Sequence, residues 1–206
     1  MTNLSVFLVS AILVTIAPGP DIIQVLTRGV SQGRMAGLAA AAGFSTGCIF
    51  HTTLAAVGVS ALIRSSDVAF TLIKLAGACY LVYIGIGALR NRGASLVGEP
   101  AGFDALGAIY RQSIVANILN PKVTLFFLAF LPQFVSPASA TPGLQLMGLG
   151  IIFMVVTIII FGSVALFAGL IGDWLRRRPA VAGRLQALAG VTFIGLGIRV
   201  ALPDVR

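Results

Sequence analysis

Charge is what this chain has least of. Only 10% of its 206 residues are Asp, Glu, Lys or Arg, and just 6 residues are acidic. Soluble domains carry about 25%, so a mainly water-facing surface is excluded. Cysteine is nearly absent as well. Cys48 and Cys79 lie far apart in apolar runs, with no C-x-x-C or Cys/His cluster beside them. They argue against metal or redox chemistry and read as packing residues. "MTNLSVFLVS" has no basic n-region and its apolar run meets no A-x-A site, so it reads as the first spanning segment rather than a signal peptide.

What is present is apolar. Hydrophobic residues make up 58% of the chain and the mean hydropathy is +1.02, which marks an integral membrane protein lodged in a lipid bilayer. A net charge of +8 and a pI near 10.8 would suggest nucleic acid in a soluble protein. Here the arginines sit between apolar runs, so they read as orienting charges, and nucleic acid is not expected.

A helix needs about 20 apolar residues to cross a bilayer. Six stretches qualify: Leu4 to Leu26, Ala36 to Ile63, Val68 to Leu89, Gln112 to Val135, Leu144 to Ile171 and Leu185 to Leu202. The expected fold is an all-α, multi-pass membrane protein of six transmembrane helices in one domain, residues 1–206. Repeat one covers about 4–89, a cytoplasmic linker about 90–111 and repeat two about 112–202. Asn91 to Asp104 reads as a polar linker and Ser136 to Gly143 as a Pro/Ser turn. Arg28, Arg34, Arg90, Arg92, Arg111, Arg176, Arg177, Arg178 and Arg184 fall on one side, against Arg64, Arg199 and Arg206 on the other. Positive loops stay in the cytoplasm, which puts both termini outside. Trp174 and Tyr110 beside the basic loops agree with this.

Three spans per half make the second half enter from the opposite side, the arrangement of an inverted-repeat transporter. "LAGACY" in the third span and "LAGVTF" in the sixth echo one another, each followed by glycines. The first span is broken at Pro18-Gly19-Pro20-Asp21 and the fourth at Asn120-Pro121-Lys122. Proline-interrupted spans in corresponding positions point to a transporter's binding site, because irregular backbone at that depth must face protein or a wet cavity. Pro20 is expected to restart a helix, with Asp21 in its first turn. Lys122 adds a cation to an already positive half-helix N-terminus and calls for an anion, either Asp21 or a substrate carboxylate. An amino acid satisfies both charges, its carboxylate on Lys122 and its ammonium on Asp21. Asn117 and Asn120 share a helix face, Asn120 is placed to cap, and Gln24 and Lys74 complete the expected substrate set. Lys74 alternatively snorkels to the interface.

His51, the only histidine, falls within the second span. Ionisable groups there are functional candidates, so His51 and Asp21 are the proton-coupling candidates; packing between helices is the alternative for His51. "GFSTG", Gly43 to Gly47, matches G-x-S-x-G, so an intramembrane serine hydrolase using Ser45 and His51 is the alternative reading. That elbow needs a strand-to-helix turn, and in a helix six residues turn about 600° and rise about 9 Å, which points the two side chains apart. Gly43 and Gly47 read better as a G-x-x-x-G packing surface. Export of metal cations is disfavoured because intramembrane carboxylates and thiols are few.

"APGPD", "AGFSTGCIFH", "KLAGACYLVYIGIGALR" and above all "NILNPKVTLFFLAFLPQFV" resemble the lysine exporter (LysE/RhtB) family of bacterial amino-acid exporters over nearly the whole chain. The resemblance implies a six-helix exporter of the bacterial inner membrane that moves amino acids or related metabolites outward, driven by the proton gradient, with no cofactor. Small amino acids and protons are then its partners, with a homo-oligomer allowed. By similarity Pro18, Gly19, Pro20, Asn120, Pro121 and Lys122 match signature positions, and Lys74 and His51 match recurrent polar ones. Asp21 departs from the Asn or small polar residue common there, and the fifth span, apolar but for Thr157 and Ser163, lacks the acidic residue of some relatives.

Overall fold

The computed structural model describes residues 3–59, 67–91, 96, 103–135 and 140–202. Its described elements are all helical. Helix α1 (Leu4–Ile16) and α2 (Pro20–Gln32) form one pair bent by 53°, and α5 (Leu106–Ile118) and the stretch Pro121–Phe134 form another bent by 49°. That second stretch starts as α6 (Pro121–Leu125), then widens to a π turn and tightens to a 3-10 turn. The straight helices are α3 (Arg34–Leu54, continued by a π turn to Val59), α4 (Asp67–Arg90), α7 (Pro142–Leu166) and α9 (Pro179–Ala201), with the short α8 (Ala168–Arg177) before the last. Four helices are long and apolar enough to cross a membrane, and the bent pairs bring the number to six if each is one span.

Apolar-run lengths misjudge several ends. The first broken span runs to Gln32 rather than Leu26, because Thr27, Arg28 and Gly29 are buried against protein instead of lipid. The fourth begins at Leu106 and the sixth at Pro179, both earlier than expected. The fifth does not run on to Ile171: it stops at Phe167, and α8 leaves as a separate helix whose Gly172 packs on Val30 of α2. Gly33 joins α2 to α3 in a single residue at φ 89°, a left-handed conformation that glycine adopts without steric cost. Arg64, Arg92, Arg206, most of the Asn91 to Asp104 linker and residues 136–139 of the Pro/Ser turn lie outside the described residues.

Between lipid-embedded helices close packing replaces the hydrophobic effect, so small residues decide where backbones meet. At the α4–α9 crossing a side-chain carbon on Gly85 would lie 2.7 Å from the Gly190 carbonyl oxygen, and one on Gly190 would lie 2.7 Å from that of Gly85. The contact is reciprocal. Gly43 and Gly47 of α3 face α5, against Tyr110 and Asn117, as the G-x-x-x-G reading anticipates. On one side of the two breaks an aromatic stack fills the core: Phe126–Phe130 and Phe130–Phe134 centroids are each 5.0 Å apart, Phe126–Phe153 5.1 Å and Phe7–Phe134 5.4 Å.

Gly190→Val is expected to cost about 1–3 kcal/mol through overpacking and to lower the melting temperature in detergent. Gly87→Val, where an added carbon meets nothing within 4 Å, should melt like the parent. Equal melting of the two variants would refute the crossing.

Candidate functional site

Each proline leaves a carbonyl behind. In an α-helix the N–H of residue i bonds the oxygen of residue i−4, and proline has no N–H. Pro18 therefore strands the carbonyl of Val14, whereas the Asn117 carbonyl, four residues before Pro121, keeps one backbone donor, the Asn120 N–H at 2.9 Å. Both carbonyls are buried in the span, where an unpaired backbone group costs several kcal/mol. The molecule supplies a side-chain donor from another helix to each. Lys122 Nζ donates to Val14 O at 3.2 Å and Ala17 O at 3.5 Å. His51 Nε2 lies 3.0 Å from Asn117 O.

Gly19 makes the first of these contacts possible. Its backbone is extended, at φ −161°, so conformation does not demand glycine there. A side-chain carbon at this position would lie 3.0 Å from Lys122 Nζ. The glycine between the two prolines is the space the ammonium occupies.

Asp21 sits in the first turn of α2, which Pro20 opens as expected, and only 3% of it is exposed. Its partners come from the other half of the chain. Asn120 Nδ2 donates to Oδ1 at 2.5 Å and Asn117 Nδ2 to Oδ2 at 3.4 Å. Asn120 also caps α6, its Oδ1 accepting the Lys122 backbone N–H at 3.0 Å. One side chain thus holds both the restarted helix and the carboxylate. The two breaks are crossed: the cation of the second half closes the carbonyl end of α1, and the amides of the second half hold the anion of α2.

Of the two anions expected at Lys122, Asp21 is not in direct contact with it. Asp21 and Lys122 are near enough to interact through space but make no ion pair within 4.0 Å. The negative charge beside the ammonium is the carbonyl end of the α1 half-helix, with the Phe193 ring 5.6 Å away. Because a carbonyl only accepts, His51 donates through Nε2, and its neutral ring keeps Nδ1 as an acceptor; that atom is buried without a partner. Asn117 Oδ1 is buried unpaired as well, pressed on Gly47.

The remaining candidates are spread out. Gln24 is half-buried one turn beyond Asp21. Lys74 donates to Leu202 O at 3.1 Å at the far end of α9, nine residues or about 13 Å along the helix from Phe193. It is not brought to the Asp21 cluster. Ser45 donates to Met154 O of α7 while His51 turns to α5, so the supposed nucleophile and base share no hydrogen bond. Among the described residues no three of His, Cys, Asp and Glu gather as metal ligands. Cys48 is buried and Cys79 exposed, so only the first is a core residue.

Reading Arg28 only as an orienting charge missed its contacts. It is buried, donates to Gln112 Oε1 at 3.0 Å and pairs with Asp104 at 2.9 Å. Its signal was the i, i+7 spacing from Asp21, which puts both on the inner face of α2.

Residues 12–203 match the LysE type translocator family. The chain is 34% identical to an uncharacterized membrane protein of Vibrio cholerae, covering 95% of this chain and 94% of that one. It is 32% identical to the homoserine/homoserine lactone efflux protein of Salmonella typhi, over 95% and 94%. It is 29% identical to the leucine efflux protein of Klebsiella pneumoniae, over 97% and 94%. No solved structure matches the chain.

A double-mutant cycle tests the lysine's backbone role. Pro18→Ala restores an N–H for Val14 O, so it should stabilise a Lys122→Met background more than the parent. The interaction energy is expected at about 1 kcal/mol or more, read from chemical unfolding in detergent micelles. Strict additivity would show that the ammonium does not replace the missing N–H.

Proposed function

Because the chain belongs to the LysE type translocator family, we propose that it is a secondary active exporter of amino acids or closely related small metabolites across the bacterial inner membrane, working by proton antiport. The observation that carries this reading is the crossed clasp at the breaks. A buried cation rests on neutral carbonyls and a buried carboxylate on neutral amides, so each charge lacks a full opposite partner. A zwitterionic amino acid brings both. Its carboxylate displaces Val14 O and Ala17 O at Lys122, and its ammonium displaces Asn120 at Asp21. Charge-assisted bonds are roughly twice as strong as neutral ones, so substrate competes with the clasp and loosens the two half-helices. A ligand that binds the loosened state better shifts the population toward it. Relatives named for homoserine and leucine efflux support this substrate class.

Proton coupling falls to His51 and Asp21. Nε2–H is held on Asn117 O, so a proton added at the unpartnered Nδ1 changes the charge near Asp21 without breaking that bond. The orientation set by the arginines puts both termini outside, the linker of about 90–111 in the cytoplasm and the aromatic stack on the outward side. The reciprocal Gly85–Gly190 contact and the paired breaks support two inverted repeats. The site is built within one chain, so no oligomer is needed to complete it. Ser45 donates to the Met154 carbonyl rather than to His51, which does not support the hydrolase reading.

In proteoliposomes, Lys122→Ala and Asp21→Asn should each slow counterflow of labelled amino acids at least about ten-fold, the loss of one charge-assisted contact worth about 1.5–3 kcal/mol. Parent-like rates in both would remove these residues from the site. His51→Gln should retain counterflow but lose its acceleration by an imposed pH gradient; a parent-like response to the gradient would leave His51 as a backbone donor alone.

A further inference from the structure

Beside the clasp, between the broken first span and the last helix, lies a crevice of about 160 Å³. Ala17, Pro18 and Ile22 form one wall and Leu188, Ala189 and Thr192 the opposite one. Among the described residues that line it none is charged, and Thr192 is the single polar side chain. Neither Asp21 nor Lys122 lines it, yet two contacts join it to the cation. The carbonyl of wall residue Ala17 accepts from Lys122 Nζ, and Thr192 directly precedes Phe193, whose ring lies 5.6 Å from the same atom.

We infer that this crevice receives the side chain of the exported molecule, and that the protein carries α-amino acids with uncharged, aliphatic side chains of about four to six carbons. The inference rests on the export reading above. A molecule whose carboxylate is on Lys122 projects its side chain past Ala17 and Pro18, straight into the apolar walls. Size sets the upper limit: a cavity of about 150 Å³ lined by Leu, Ile and Phe stays dry and binds benzene, a six-carbon ring. Charge sets the class. An ammonium or carboxylate at the end of the side chain would be stripped of water with no partner to meet it. Each methylene that fills such a pocket is worth about 10- to 200-fold in selectivity, so a leucine-sized substrate is favoured over alanine or serine.

The competing occupant is a lipid chain. Leu13, Ile16 and Leu188 are 39%, 47% and 60% exposed and form a lateral mouth. The same lining includes buried Ala17 and Ala189, which are 4% and 2% exposed. Through the Ala17 carbonyl that part of the lining adjoins Lys122, where a substrate's side chain begins.

The experiment is counterflow of labelled leucine, alanine, serine, lysine and phenylalanine in proteoliposomes, scored as ratios of rates so that variant yield cancels. The parent should prefer leucine over alanine, serine and lysine by at least ten-fold. Ala189→Leu, which fills the crevice, should lower the leucine-to-alanine ratio at least ten-fold. Leu185→Ala, which widens it at another point of the lining, should raise the phenylalanine-to-leucine ratio. Unchanged ratios in both variants would assign the crevice to lipid and overturn the inference. A parent that carries only lysine or serine would overturn it while leaving the export reading intact, whereas a parent that carries no amino acid defeats both.

Discussion

A carbonyl inside a bilayer must find a donor, and the breaks of this molecule are set by three prolines that remove donors locally and by the glycine between two of them. Pro18, Pro20 and Pro121 remove backbone donors, and no water is present to replace them. The chain answers with side chains from distant helices. Lys122 reaches Val14 O across 108 residues and His51 reaches Asn117 O across 66. Gly19, between two of the prolines, leaves the gap that the lysine ammonium fills. The breaks are thus stabilised only when both halves of the chain are folded against each other.

That dependence makes the site a joint between halves. Asn120 caps its own half-helix and holds the carboxylate of the other, so a movement that separates the breaks opens the Asp21 contact and the Lys122 contact together. To one side of this joint Phe126, Phe127, Phe130 and Phe134 of the turns that follow α6 pack with Phe7 and Phe153. To the other lies the apolar crevice, which reaches Leu96 and Leu175 near the arginine-rich segments. Arg28 ties α2 to Asp104 and Gln112 at that same end.

Much of this was legible in the residue order. Long apolar runs announced the spans, and Pro-Gly-Pro and Asn-Pro-Lys announced the breaks, since nothing else tolerates proline at that depth. Pro20 and Pro121 at first helical positions, Asp21 in a first turn and Asn120 as a cap are local consequences of backbone chemistry. Helix ends were less legible where polar residues are buried by protein, as at Thr27 and Arg28, because hydropathy cannot tell a lipid-facing position from an inward one. The fifth span failed for a related reason: Phe167 to Ile171 is apolar enough to continue the helix, yet the helix ends at Leu166 and α8 packs on α2 with Gly172 against Val30.

The sequence alone determined that the chain is helical, that it lives in lipid, and that two spans must be broken around a carboxylate and a lysine, because each of these follows from side-chain and backbone chemistry within a few residues. The tertiary structure alone decided which side-chain donors meet the carbonyls at the breaks. It gave Lys122 to Val14 rather than to Asp21, gave Asp21 to two asparagines, and carried Lys74 to the end of the last helix. Those pairings link residues about a hundred positions apart or more, and helix packing, which no local pattern encodes, brings them within reach.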